Sequence, residues 1–300
     1  MHVVYFTAGT IGAGHFARGV AIERGLRRAG FSGRFTRVGP RGAMRFDRDD
    51  ETLSTALSTT IEVSIDPLAL ADAHRAPLTE LACALDALSP TLLIVDLFWA
   101  PLRRLLPLRG CETWLLLRLA PAHWLDGPPG LAFARDLFSR VIAIEPGVSS
   151  GDVDEAIAPI VAIDRDERRP RGALRARLGV DSALPLHVVA HAGAPGEWSE
   201  LVDACAWRPL HVLTPTPTPS IAIAEDVHVH DGAPLFPLGA WLGDADTIVS
   251  GAGYNAYWEA RWLGHDARTT WLPRARPIDD QRRRIAIGAA CSMRENGADT

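Results

Sequence analysis

Two distant segments of this chain share one construction. A short apolar run passes through closely spaced glycines directly into a helical pattern. In the first, residues 2–7 lead through Ala8-Gly9-Thr10-Ile11-Gly12-Ala13-Gly14 into a helix over 15–29. In the second, residues 247–250 lead through Gly251-Ala252-Gly253 into a helix over 254–263. Such strand–helix units build parallel sheets covered by helices. Glycines at the turn let the backbone approach an anion, and the helix start offers free N–H groups and a positive dipole end.

The same alternation fills the rest of the chain. Further strands are expected at 35–38, 92–95, 113–117 and 141–144, then at 187–191, 210–213, 227–229 and 269–272. Helical patterns cover 78–88, 174–178, 198–206 and 279–294. On the first helix, Ala17, Val20, Ala21, Gly25 and Leu26 form an apolar face, with Arg18, Arg24, Arg27 and Arg28 mostly opposite. Residues 39–60 are polar and carry no assignable pattern, and 214–219 alternate Thr and Pro as a stiff extended connector. The charged, proline-containing stretch 164–171 is the expected linker. It separates an N-terminal unit, 1–165, from a C-terminal unit, 166–300. The expected class is α/β, with two Rossmann-like domains whose parallel sheets face a central cleft. Ligands of such sheets bind at the carboxyl ends of the strands.

The 300 residues contain no lysine, and all 31 basic residues are arginine. That excludes a lysine nucleophile, a Schiff base and a P-loop lysine. A net charge of −5 argues against a nucleic-acid binder. Cys83, Cys111, Cys205 and Cys291 are scattered, which suits reduced core residues and no zinc or redox motif. No leader pattern opens the chain and no apolar run reaches membrane-spanning length, so the expectation is a cytoplasmic protein, with at most peripheral membrane contact.

The chemistry-bearing positions cluster near strand ends. Ser250, Gly251, Gly253 and Asn255 surround the second glycine turn, and Glu259 follows within its helix. Asp280 and Gln281 open the last helical pattern, where an acid also serves as a cap. His15 and Arg18 follow Gly12 and Gly14 at the first turn, and Asp96 ends a strand. His15 at a helix start is read as a general base or as a polar cap. Gly193 and Ala194 lie in a third loop, where Pro195 removes one N–H donor. Asp244-Ala245-Asp246 looks like a metal-binding pair but reads as the loop before a strand. His228 and His230 lack a third ligand and read as structural.

The ordered set from Gly251 to Gln281 resembles the nucleotide-sugar half of the GT-B glycosyltransferases. The likeness is to the family of the peptidoglycan N-acetylglucosaminyltransferase and related UDP-glycosyltransferases. The resemblance implies diphosphate binding by Gly251 and Gly253, with Ser250, Asn255, Gly193 and Ala194 beside them. It implies ribose binding by Glu259 and donor-sugar binding by Asp280 and Gln281. Gly12, Gly14 and Arg18 then form an acceptor-side loop, with His15, or alternatively Asp96, as the base. The implied reaction is direct, inverting transfer of a hexosyl or N-acetylhexosaminyl group from a UDP-sugar to a hydroxyl acceptor, with no metal or further cofactor. Few residues follow Gln281, so the family's last helix, which crosses back to the N-domain, is expected to be short or missing. Two other readings stay open. A degenerate nucleotide-sugar-binding protein or epimerase shares the architecture. An NADP-dependent oxidoreductase would use Gly12, Gly14 and Ala17, with Arg37 at the cofactor's phosphate.

Overall fold

The structure, a computed structural model, describes residues 1–9, 14–42, 58–121, 135–148, 152–191, 193, 197–214, 224–232, 235–276 and 278–297, the side chains of 291–297 excepted. Gly12, Ala194, Pro195, the charged run 45–51 and the connector 215–219 lie outside the described residues.

The first half forms β1 (His2–Phe6), α1 (Gly14–Arg28), β2 (Arg34–Pro40), β3 (Ser58–Val63), α2 (Pro67–Ala71), α3 (Glu80–Leu88), β4 (Leu92–Asp96), β5 (Glu112–Leu117), β6 (Arg140–Ala143) and β7 (Glu155–Ala156). These strands pair in parallel, in the order β3-β2-β1-β4-β5-β6-β7. The second half forms α4 (Ala173–Leu178), β8 (His187–Ala190), α5 (Glu197–Asp203), β9 (Leu210–Thr214), β10 (Val227–Asp231), β11 (Thr247–Ser250), α6 (Tyr254–Trp262), β12 (Thr269–Trp271) and α7 (Gln281–Gly297). Its strands are also parallel, in the order β10-β9-β8-β11-β12. Each half therefore places its first strand beside its fourth, and the connections diverge there to opposite sides. A crevice opens at that divergence, at the carboxyl ends of the strands.

Burial on both faces explains the apolar runs. In β1, Val4 and Phe6 enter one core while Val3 and Tyr5 enter the other. In β8, Val188 and Ala190 face one layer and Val189 the opposite one. β3 is different. It is an edge strand with mostly half-buried or exposed residues, so its sequence lacks the apolar signature that marks the central strands.

The two halves share a core. Ala252, Tyr254, Tyr257 and Trp258, from α6 and the turn before it, pack with Val3, Tyr5, Ile94 and Ile144 of the first half. Polar contacts fix that docking. Tyr254 Oη donates to Ile144 O (2.8 Å) and accepts from the Ile160 N–H (2.7 Å). Trp258 Nε1 donates to Glu145 Oε2 at 2.8 Å. Arg284 Nε and Nη2 grip the same carboxylate at 2.7 and 2.8 Å, with Arg284 0% and Glu145 2% exposed.

Two expectations change. The last helix is neither short nor missing. α7 runs from Gln281 to Gly297 and meets the first half through Arg284 and through Ile287, which fills the space where Gly147 has no side chain. Stretch 164–171 lies between the elements of the two sheets, and its Glu167 and Asp164 pair with Arg24 and Arg28 of α1. Cys83 is exposed, and only Cys205 of the described thiols is buried. No helix among the described residues is long and apolar enough to cross a membrane.

Arg284→Ala removes the bidentate partner of a buried carboxylate. It is expected to cost about 3–5 kcal/mol of stability, read from the urea midpoint. A change within about 0.5 kcal/mol, typical of a surface substitution, would show that the pair contributes little.

Candidate functional site

β1 and β4 are neighbours in the first sheet, and His15 opens α1 just beyond them. Asp96, at the end of β4, is fully buried and receives four contacts. They come from Tyr5 Oη (2.6 Å), His15 Nδ1 (2.6 Å), Arg18 Nε (3.1 Å) and Arg18 Nη2 (3.0 Å). Burial pushes the Asp96 carboxyl up, but Arg18 and His15 overcome that and hold it far below the carboxylate range. With Asp96 ionised, the His15 proton belongs on Nδ1, and Nε2 keeps its lone pair. Burial lowers the His15 pKa, Asp96 opposes the fall, and the net shift is downward. His15 and Asp96, read in the sequence as alternatives, form one unit.

The imidazole lies against Gly9. A Cβ there would stand 2.2 Å from His15 Cδ2, while the Gly9 backbone is not in the left-handed region. Gly9 is therefore glycine for room and not for its turn.

Arg18 does not sit on a solvated helix face. It is 1% exposed, lies over the Tyr254 ring at 4.6 Å, and sends Nη1 to Asn255 Oδ1 at 3.1 Å. Asn255 Nδ2 returns a bond to Gly14 O at 2.7 Å. The amphipathic pattern misplaced Arg18 because its partner, Asp96, is remote in sequence. Gly14, Arg18 and Asn255 instead clasp the two halves together.

A cavity of about 570 Å³ opens between the halves. His15, Gly14, Arg18 and Arg118 line it from the first half, and Gly193, Ser250, Gly251, Gly253, Asn255, Glu259 and Gln281 from the second. Gly253 precedes α6 without a side-chain cap, so it closes none of the first-turn N–H groups. Ser250 Oγ donates to Ala190 O at 2.8 Å and ties β11 to β8. Glu259 is buried. Burial pushes its carboxyl up to about 7, against the effect of a hydrogen bond from the Ala162 N–H.

Asp280 does not line the cavity. Its Oδ1 accepts from the Arg283 N–H at 3.1 Å and caps α7. Asp279 lies on the cavity wall in its place, and its carboxylate receives Arg284 Nη2 (2.8 Å), Gln281 Nε2 (2.9 Å) and Arg118 Nη1 (3.4 Å). The start of α7 at Gln281 decides this, because it makes the residue before it the cap. Sequence reading also missed Arg118, Arg274 and Arg276 on the cavity wall. Arg118 directly follows β5, so the strand-end rule that marked Asp96 marks it equally.

The remaining motifs resolve as structural. Arg37 is paired with Glu23 and stacks over Phe16, which removes it from any NADP phosphate. Asp244 accepts from the N–H groups of Gly172 and Leu174, and Asp246 pairs with Arg175. His211 joins His228 and His230 in a stack on neighbouring strands. No group of three His, Cys, Asp or Glu among the described residues is arranged to hold a metal ion.

No family model and no curated protein sequence matches the chain. Solved structures do match. The spinosyn forosaminyltransferase SpnP aligns over 95% of this chain and 89% of its own, with 15% identity and TM-score 0.56. The spinosyn rhamnosyltransferase SpnG, complexed with thymidine diphosphate, aligns over 91% and 80%, with 14% identity and TM-score 0.53. Phytolacca americana UGT2, complexed with UDP-2-fluoro-glucose and pterostilbene, aligns over 95% and 82%, with 15% identity and TM-score 0.52. The chain has the fold of the GT-B glycosyltransferases.

His15 is expected to titrate below the ordinary 6.5, followed by NMR of its ring protons. The unfolded chain then takes up this proton first as pH falls. The stability from the neutral ring is present above about pH 6.5 and is lost as pH drops through the folded value. Asp96→Asn removes the group that raises the His15 pKa, so it moves the titration lower still. A midpoint above 6.5 in the folded protein would contradict the buried, neutral ring.

Proposed function

We propose that the chain is a glycosyltransferase that moves a sugar from a nucleoside-diphosphate donor, UDP-sugar favoured, to a hydroxyl acceptor. One observation carries the reading. The His15–Asp96 pair and the uncapped start of α6 face the same cavity from opposite halves. The pair suits proton abstraction, and the helix start suits a departing diphosphate.

In this mechanism the acceptor hydroxyl gives its proton to His15 Nε2. Its oxygen attacks the anomeric carbon as the bond from that carbon to the diphosphate oxygen breaks. A single displacement of this kind inverts the anomeric centre. Asp96 holds the ring and stabilises the imidazolium that forms. The negative charge on the leaving diphosphate meets the first N–H groups of α6, near Gly251 and Gly253. These groups supply the positive charge, so the reading requires no metal ion. Glu259 accepts from the ribose hydroxyls, and Gln281 with Asp279 lies beside the donor sugar, hexosyl or N-acetylhexosaminyl. SpnG with thymidine diphosphate and Phytolacca americana UGT2 with a UDP-sugar support this class of donor.

A thermal-shift panel of UDP, thymidine diphosphate and NADP tests the donor class. A ligand at a hundred times its Kd adds about 2.7 kcal/mol of stability. A shift with NADP and none with either diphosphate would overturn the proposal. With a nucleotide in hand, Glu259→Ala is expected to weaken it by about 1.5–3 kcal/mol, read by calorimetry. Because the Glu259 carboxyl is pushed up to about 7, wild-type affinity should rise as pH passes that value and the carboxyl ionises. Glu259→Gln should flatten the rise, and a profile unchanged by this substitution would remove Glu259 from the nucleotide. His15→Ala should cut turnover by about 100-fold or more and leave nucleotide binding intact. Turnover equal to wild type would remove His15 as the base, and binding without turnover in the wild type would make the chain a binding protein.

A further inference from the structure

We infer that the acceptor bears a carboxylate and that Arg118 receives it. The inference rests on the transfer reading above and names the class of acceptor that the site takes.

Two buried guanidiniums, those of Arg18 and Arg118, line the cavity, and that of Arg284 lies behind its wall on Asp279; Arg18 and Arg284 are fully engaged. Arg18 binds Asp96 through Nε and Nη2 and Asn255 through Nη1. Arg284 binds Glu145, Asp279 and Ala252 O. Arg118 is 8% exposed, and its one contact among the described residues is Nη1 to Asp279 Oδ1 at 3.4 Å. Its Nε is buried with no acceptor among the described residues. The carboxylate it leans toward is already held at 2.8 Å by Arg284. Burial, opposed by Asp279 and Asp96 and reinforced by the neighbouring Arg18 and Arg284, pulls the Arg118 pKa below its usual value. A cation out of water with donors unused is costly, and an anionic ligand in the cavity relieves that cost.

Position identifies the ligand. Arg118 lies just past the end of β5, whose Leu116 pairs with Asp96 of β4. It therefore shares the shelf that carries His15 and Asp96. The diphosphate has its own receptor at the start of α6, on the opposite wall. Phe98, Phe236, Leu238 and Trp271 add apolar surface to the cavity. The matching acceptor has an apolar body, a hydroxyl for His15 and a carboxylate for the planar fork of Arg118.

The test uses matched pairs, 4-hydroxybenzoate, 4-hydroxycinnamate and 3-hydroxydecanoate, each against its methyl ester. Binding to the UDP-saturated protein is measured by calorimetry. Wild type should prefer the acids by about 10-fold or more. Arg118→Gln should erase the preference, and Arg118→Lys should retain part of it. Asp279 keeps Arg284 in both variants, and their melting midpoints report folding. If the Gln variant fails to fold, the Lys variant reads the preference alone, and a full preference there would count against the assignment. No preference in wild type for any pair, or one that survives in Arg118→Gln, would overturn it. So would a 10-fold loss of UDP affinity in Arg118→Gln, which would put the guanidinium on the diphosphate. A preference for UDP-glucuronate over UDP-glucose that Arg118→Gln abolishes would put the carboxylate on the donor sugar and also overturn it. UDP binding without acid preference sinks this inference alone. Acid preference without binding of any nucleoside diphosphate, measured on the ligand-free protein, sinks the transfer reading and with it the acceptor role, and leaves Arg118 as a carboxylate site only.

Discussion

The buried pair of Glu145 and Arg284 ties the cavity together. Glu145 lies just beyond the end of β6 and Arg284 in α7, so the contact joins two elements far apart in the chain. Around it, Glu145 accepts from the Leu119 N–H and Trp258 Nε1, while Arg284 reaches Ala252 O and Asp279. One ion pair thereby sets α6, α7 and the end of β5 against each other. Burying two charges gains little net stability over an apolar contact. The shared hydrogen bonds of this pair specify how the halves meet.

That specification holds three titratable groups in different states around one cavity. Asp96 stays ionised because Arg18 and His15 outweigh its burial. His15 stays neutral because burial outweighs Asp96. Glu259 is shifted by no cation among the described residues, and burial brings its carboxyl up to about 7. A site whose groups are driven apart in this way keeps an acceptor for a proton and an acceptor for hydroxyl groups distinct at one pH.

Much of this was legible in the sequence, and the failures have physical causes. β1, β4, β8 and β11 announced themselves because both faces are buried, and the glycine turns at 14 and 253 marked where β1 and β11 give way to helices. β3 did not, because an edge strand needs few apolar residues. Arg18 was assigned to solvent because helical periodicity cannot see a buried carboxylate donated by another strand. Asp280 was chosen over Asp279 because the cap falls on whichever acid directly precedes the helix, and the pattern blurred that boundary. The reach of α7 depends on Arg284 finding Glu145, a long-range pairing that no local pattern encodes.

The notch at Gly9 has a consequence for how such a chain can change over time. Positions 9 and 15 share one volume, and the ring at 15 occupies what would be the side chain at 9. Drift at these two places is therefore ordered. A methyl at 9 becomes tolerable only after the imidazole has gone, and an imidazole can arrive only where 9 is already bare. Among descendants that keep His15, position 9 has no neutral alternative, although its backbone conformation would admit any residue. A lineage that abandons the histidine frees both positions at once, and a later return would have to clear position 9 first.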